Sequence, residues 1–267
     1  MNPTSRGGVR PSRRRRYLAL STIILLCLGW FLVAEPIIVV ALHPSYDFEA
    51  GAALRGILAL LLALGFTIRG TWRANGFSGG LQLRWWRVLW PIWVVAVPML
   101  ALYAGERSLW KHVLTLGFCI SVGFTEEAIF RGIILRNLLP GGTRSAILWS
   151  SALFGAMHLV GFLAGYDARM VLLTVASAFA VGLVFAWVRL AAASIWPAVI
   201  AHGFYDYAEF IKSGGFDASM RYSTHEAVIS AVFTIVLFTW AWRLMFHEAW
   251  SDHRIAMAPD ELTGEPA

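Results

Sequence analysis

The sequence predicts an all-α membrane protein, a polytopic bundle of about eight transmembrane helices. Hydrophobic residues make up 58% and charged residues 14% of the 267 positions, whereas soluble domains average roughly half and a quarter. The apolar residues fall in runs of about twenty, the length that a helix needs to cross a hydrocarbon core about 30 Å thick. The composition therefore argues against a water-soluble fold.

Eight apolar segments define the predicted spans, and short connections with turn formers such as Pro44 and Gly79 separate them. The first segment is longer than the apolar region of a signal peptide, so we expect a retained anchor. Residues 1–16 form a basic tail, residues 248–267 form a polar tail, and the membrane domain covers 17–247. The spans cover approximately residues 17–42, 50–70, 86–104, 113–138, 145–164, 170–189, 193–211 and 226–247.

The charge distribution predicts the orientation of the bundle. The formal net charge is +6, and six arginines precede the first span. Such a flank indicates the cytoplasmic side of a membrane better than a nucleic-acid contact. Eight spans return the C-terminus to the same side, and basic residues are fewer on the opposite side, where Arg55 lies near a membrane edge. Both termini are thus expected in the cytoplasm, with no nucleic-acid partner.

Ionisable residues inside three of the spans are the strongest functional signal. Such side chains are costly in a bilayer, so they tend to face the bundle interior, pair with one another and mark a site. They occur in the fourth, fifth and seventh spans, and the motif core is expected to lie within residues 113–211. The residues are Glu126, Glu127 and Arg131, then His158 four residues after Phe154, then His202 and Asp206.

The spacing in the fourth span assigns different roles to the two adjacent glutamates. Glu127 and Arg131 are four residues apart and share a helical face, so we expect a structural ion pair. Glu126 is rotated by about 100° from Glu127 and is expected to point to a different part of the bundle. Without that arginine it is the freer carboxylate, and we predict that Glu126 is the general base.

The two histidines are expected to join Glu126 in one pocket, because each buried polar group needs a partner. Asp206 follows His202 by four residues and shares its face, where it could orient the imidazole, donate a hydrogen bond if protonated, or simply meet water at the end of the span. Phe154 is placed beside His158 by the same spacing. Packing explains that phenylalanine adequately.

Two mechanisms fit a carboxylate and two histidines on separate helices. In one, Glu126 and His158 activate water while His202 and its neighbour stabilise an oxyanion at a peptide carbonyl. In the other, His158, His202 and a carboxylate hold a divalent ion such as zinc, with an open position for water. The spacing does not choose between them, and the His-Glu-x-x-His signature of soluble zinc proteases is absent.

The three motifs together resemble the CPBP family, the CAAX-protease and bacteriocin-processing group. They are Glu-Glu-x-x-x-Arg, Phe-x-x-x-His and His-x-x-x-Asp, and they extend from about Thr125 to Asp206. The resemblance implies an intramembrane endopeptidase in which Glu126 and His158 activate water and His202 with Asp206 supports the oxyanion. The last position departs from the commoner pattern, since asparagine is frequent there and an ionised aspartate cannot donate a hydrogen bond.

The resemblance also implies partners and a location. The expected partners are membrane lipid and a peptide or protein substrate with a membrane-associated or lipidated segment, and the expected location is a bacterial inner membrane. Neither the substrate nor the oligomeric state follows from it. Two other hypotheses are a proton- or solute-coupled transporter, because buried Glu and His also form ion pathways, and a non-catalytic immunity or scaffold protein.

Overall fold

The structure, a computed structural model, describes residues 48–79, 82–103, 105, 108–163, 165–213 and 222–246. All regular structure in this part of the chain is helical, which confirms the predicted all-α class. The predicted span 17–42 and the two predicted tails lie outside the described residues. The helices are α1 (Phe48–Arg69), α2 (Leu83–Val88), α3 (Trp90–Tyr103), α4 (Leu109–Glu127), α5 (Leu135–Leu138), α6 (Thr143–Met157), α7 (Ala168–Ala192), α8 (Trp196–Ser213) and α9 (Thr224–Phe246).

Five helical segments of the described chain are long and apolar enough to cross a membrane. Two predicted spans are less clear. Helix α3 has 14 residues, which gives a length of about 21 Å against a hydrocarbon core of about 30 Å. Helix α8 contains Asp206, Glu209 and Lys212 in 18 residues. The exact number of spans therefore stays a prediction, while the bundle architecture is established.

Helix α4 does not continue as a regular α-helix through the first motif. A π-helix from Ala128 to Ile134 follows it directly and carries Arg131. The wider turn is anchored by a neighbour, because the buried hydroxyl of Ser150 on α6 donates to the carbonyl oxygen of Phe130 at 3.0 Å. Single π-turns inside α-helices frequently occur at functional sites.

Glycines allow the motif-bearing helices to approach closely. On α4, a Cβ added to Gly123 would lie 2.8 Å from the carbonyl oxygen of Val199 on α8. On α8, a Cβ added to Gly203 would lie 2.9 Å from the Cα of Ile120. Small residues at such a crossing let two backbones meet in a membrane. Because Gly203 directly follows His202, this contact brings that histidine against the glutamates of α4.

Candidate active site

Glu127 occupies the centre of the buried cluster. Its Oε1 atom lies 2.9 Å from Nη1 of Arg131 and accepts a hydrogen bond from Nδ1 of His202 at 3.0 Å. The side chains of Glu127 and Arg131 are both fully buried. The carboxylate thus joins the first motif to the last one, and the expected pair with Arg131 has a second partner that the spacing alone did not reveal.

Arg131 is enclosed by aromatic rings. Its guanidinium carbon lies 4.1 Å from the ring centroid of Phe154, 5.7 Å from that of Phe185 and 6.0 Å from that of Phe130. Ring faces attract a guanidinium most strongly where water is excluded. Arg131 is therefore held by one carboxylate and three rings, which suits a structural role in the site.

Glu126 differs from the sequence-based expectation in its direction. We expected it to point to another part of the bundle, but its Oε2 atom lies 3.7 Å from Nε2 of His202. That expectation was wrong because the imidazole has nitrogens on two edges, so neighbouring residues rotated by about 100° can flank one ring. Oε2 is buried and has no hydrogen-bond partner among the described residues.

His202 therefore lies between three carboxylates. Nδ1 faces Glu127 at 3.0 Å, while Nε2 faces Asp206 at 3.4 Å and Glu126 at 3.7 Å. Since a carboxylate paired with arginine only accepts hydrogen bonds, Nδ1 must carry a proton. A ring protonated on both nitrogens would donate from both edges. Glu127 therefore orients the imidazole through Nδ1. Asp206 faces the opposite edge of the ring, at Nε2.

His158 closes the cluster from α6. It is the first residue after that helix, at the start of a 3-10 turn from His158 to Phe162. Its Nδ1 donates to the carbonyl oxygen of Phe154 at 2.9 Å, because a carbonyl can only accept. The proton on Nδ1 leaves the lone pair of the neutral ring on Nε2. His158 lies within electrostatic range of Glu126, His202 and Arg131.

Phe154 packs between the two histidines. Its ring centroid lies 5.1 Å from that of His158 and 5.7 Å from that of His202, both in edge-to-face geometry. The residue is 2% exposed, so the packing role expected from the sequence agrees with its position. By contrast, no sequence signal pointed to Phe185 on α7, whose ring centroid lies 5.8 Å from that of His202. One apolar residue in a uniformly apolar helix carries no signal.

The exposure of the side chains shows where the cluster opens. It is 0% for Glu127, 8% for Glu126, 9% for His202 and 30% for Asp206. His158 is also half-buried, so water or a peptide group would approach past Asp206 or His158 and reach Glu126 and His202 before Glu127. The structure thus brings together all seven residues that the sequence singled out, with Asp206 at the mouth.

The described side chains are not arranged as the ligands of a metal ion. Among the residues that the structure describes, no three His, Cys, Asp or Glu side chains are arranged to hold a metal ion. Nδ1 of His202 is committed to Glu127, and Oε1 of Glu127 is shared with Arg131. The divalent ion considered from the sequence stays an untested prediction, and nothing here supports classifying the protein as a metalloprotease.

The fold and this cluster define the class, an integral membrane protein with a buried cluster of ionisable side chains. A family model described as type II CAAX prenyl endopeptidase Rce1-like matches residues 107–208. The matched segment contains all three motifs, so the resemblance to the CAAX-protease family is confirmed. It supports an intramembrane endopeptidase in general and favours protease activity over transport. No curated protein and no solved structure matches the chain.

Proposed function

We propose that the protein hydrolyses a peptide bond of a membrane-associated or lipidated substrate with water activated by Glu126 and His158. The observation that carries the proposal is Oε2 of Glu126, which is buried without a hydrogen-bond partner among the described residues. Oε2 of Glu127 is equally unpartnered in this part of the chain, but the Glu127 side chain is fully buried, whereas that of Glu126 is 8% exposed. Burial of a carboxylate oxygen costs free energy unless the oxygen accepts a hydrogen bond. A water molecule held there would lie close to His202, whose Nε2 is 3.7 Å from Oε2, and within electrostatic range of His158.

The proposed reaction divides the proton transfers between two groups. Glu126 takes a proton as the water oxygen attacks the carbonyl carbon, while the Nε2 lone pair of His158 orients the water. The negative charge that develops on the carbonyl oxygen is stabilised by the N–H on Nε2 of His202. The carbon–nitrogen bond then breaks, and the proton on Glu126 passes to the departing amine.

Glu127 and Arg131 do not exchange protons in this scheme. Glu127 holds His202 through Nδ1, and Arg131 balances the charge of Glu127 at 2.9 Å. Donors that are fixed before the reaction stabilise charge without reorganisation during it. The pair therefore acts by keeping Nε2 of His202 aimed toward the mouth of the cluster.

The test uses a quenched fluorescent peptide ending in a CAAX sequence, in a farnesylated and a bare form, with the protein in proteoliposomes. Glu126→Gln and His158→Ala are each expected to lower turnover of the farnesylated peptide by about 10²- to 10⁴-fold. The matched controls are Glu226→Gln, which alters a glutamate that accepts from Ser223, and His112→Ala, which alters a histidine bonded to Tyr207.

Undiminished turnover in both site variants would overturn the assignment, and equal cleavage of the bare peptide would contradict a lipidated substrate. Metal dependence is tested separately by metal analysis of the purified wild type beside His158→Ala. The water mechanism predicts no stoichiometric zinc in either protein. Bound zinc that disappears in the variant would establish the metal mechanism instead.

A further inference from the structure

The loop that follows α1, residues 70–79, enters the bundle. Asn75 and Gly76 are buried, although connecting segments usually run over the surface of a protein. The carbonyl oxygen of Thr71 accepts from the backbone N–H of Asn75 at 3.0 Å and from its Nδ2 at 2.9 Å. Gly76 has a φ of 88°, and its carbonyl oxygen accepts from the backbone N–H of Ile195 at 2.8 Å. The loop therefore has a defined, hydrogen-bonded shape inside the bundle.

Phe77 joins this loop to two of the motif-bearing helices. Its ring centroid lies 5.3 Å from that of Phe124 on α4 and 5.3 Å from that of Trp196 at the start of α8. Ring pairs about 4.5–7 Å apart attract each other in specific geometries. Phe124 lies two residues before Glu126, and Trp196 lies six residues before His202. Phe77 therefore links the helix that carries Glu126 to the helix that carries His202.

Asn75 contacts the other end of the first motif. Its carbonyl oxygen and its Cβ lie 3.2 and 3.3 Å from the position that a Cβ on Gly132 would take. Gly132 belongs to the π-helix and directly follows Arg131. The glycine thus lets the loop pack closely against the backbone of the π-helix. The same loop therefore contacts the chain two residues before Glu126 and one residue after Arg131.

We propose that the 70–79 loop positions the first motif for the reaction, with Phe77 and Asn75 as the positioning residues. The inference rests on the proposed peptidase function. A π-helix departs from regular α geometry, so the helix alone does not fix the arrangement of the motif. A displacement of about 1 Å at a reacting group can lower turnover about 100-fold. Support of the motif at both ends keeps Oε2 of Glu126 at 3.7 Å from Nε2 of His202.

The test compares Phe77→Ala with Phe77→Tyr in turnover of the farnesylated peptide. Phe77→Ala removes the ring between α4 and α8 and is expected to lower kcat about 10- to 100-fold. KM should stay within about threefold of the wild type, because the change affects the reacting geometry and not the binding of the peptide. Phe77→Tyr keeps the ring and should retain kcat within about threefold. If Phe77→Ala does not fold, Phe77→Leu takes its place, with effects expected in the same direction.

The matched control is Phe238→Ala on α9, which alters another half-buried phenylalanine. Its ring pairs with that of Phe179 on α7 at 5.6 Å, so the variant also loses a ring contact, but away from the first motif. It should lower the midpoint of thermal denaturation yet keep kcat within about threefold. A loss of kcat in Phe238→Ala as large as that in Phe77→Ala would overturn the proposal.

Asn75→Ala tests the contact at the π-helix. It removes the side-chain amide that donates to the Thr71 carbonyl at 2.9 Å, so the loop should pack less firmly against Gly132. Because the backbone bond to Thr71 remains, kcat is expected to fall only about 3- to 10-fold. Since both residues belong to one loop, the losses in Phe77→Ala/Asn75→Ala should be smaller than the product of the single losses. Losses that multiply would contradict a loop that acts as one unit.

A second measurement does not depend on activity. Hydrogen exchange in peptides that cover residues 124–134 reports local opening of the first motif. Phe77→Ala should speed this exchange about tenfold or more, while Phe238→Ala should leave it within about twofold. If the wild type cleaves no peptide, the peptidase assignment fails, yet the exchange still decides whether the loop supports the motif. If Glu126→Gln abolishes cleavage while Phe77→Ala changes neither kcat nor exchange, only the present inference fails.

Discussion

Glu126 and Glu127 are consecutive residues of one helix, but their carboxylates have opposite surroundings. Glu127 is fully buried and binds both Arg131 and His202 through Oε1. Glu126 is 8% exposed, and among the described residues no arginine forms an ion pair with it. Oε2 of both carboxylates has no hydrogen-bond partner in this part of the chain, so the contrast lies in Oε1 of Glu127 and in exposure. The comparison shows how one motif supplies both a fixed scaffold and a reactive group. The partners of each carboxylate, and not its position in the sequence, decide its role.

The largest effect that separates the two glutamates is expected in stability. Glu127→Ala leaves the buried Arg131 without its counter-charge and should lower the free energy of unfolding by about 3–5 kcal/mol. Glu126→Ala removes a carboxylate that lacks a full set of hydrogen bonds, so the expected change is within about 1 kcal/mol. Denaturant titration in detergent, followed by tryptophan fluorescence, measures both.

A double variant sharpens this result. In Glu127→Ala/Arg131→Met both charges are gone, and removal of a whole buried pair is often nearly neutral. The double variant should therefore be more stable than Glu127→Ala alone, although His202 loses its orientation and turnover stays low. Equal destabilisation by the two single glutamate variants would remove the distinction between scaffold and reactive group.

The sequence was sufficient to predict the helical class and the residues of the cluster, because ionisable groups in apolar spans have few partners except one another. It was not sufficient to predict that both glutamates reach His202. Contact of both glutamates with His202 depends on how closely α4 and α8 cross at Gly123 and Gly203. Tertiary packing sets that distance. Periodicity also did not indicate the π-helix that carries Arg131.

The close crossing of α4 and α8 at Gly203 provides a second test of how His202 is positioned. Its expected effect on stability is smaller than that of Glu127→Ala. Gly203→Ala places a Cβ 2.9 Å from the Cα of Ile120 and 3.0 Å from the carbonyl oxygen of Cys119. Overpacking of this kind costs about 1–3 kcal/mol. It should also separate His202 from both glutamates, so turnover falls together with the midpoint of unfolding.

Gly117→Ala is the matched control for this variant, because none of the described neighbouring residues lies within 4 Å of the added Cβ. The control replaces glycine in the same helix α4 and should be neutral or stabilising by up to about 1 kcal/mol. If Gly203→Ala behaved like Gly117→Ala in both stability and turnover, the close crossing would not be what positions His202.

The smallest effect is expected at Ser150, which supports the π-helix from outside. Ser150→Ala removes the donor to the Phe130 carbonyl, a buried bond of 3.0 Å. Because that carbonyl also accepts from the backbone N–H of Leu135, the change should lower the free energy of unfolding by only about 0.5–1.5 kcal/mol. Ser121→Ala is the control, since that hydroxyl donates within its own helix, to the carbonyl oxygen of Gly117 at 2.8 Å. Because the π-helix carries Arg131 but not Glu126, Ser150→Ala should lower stability more than it lowers turnover. A large loss of turnover with unchanged stability would contradict this prediction. It would show that the π-helix supports the reaction and not only the packing of the cluster.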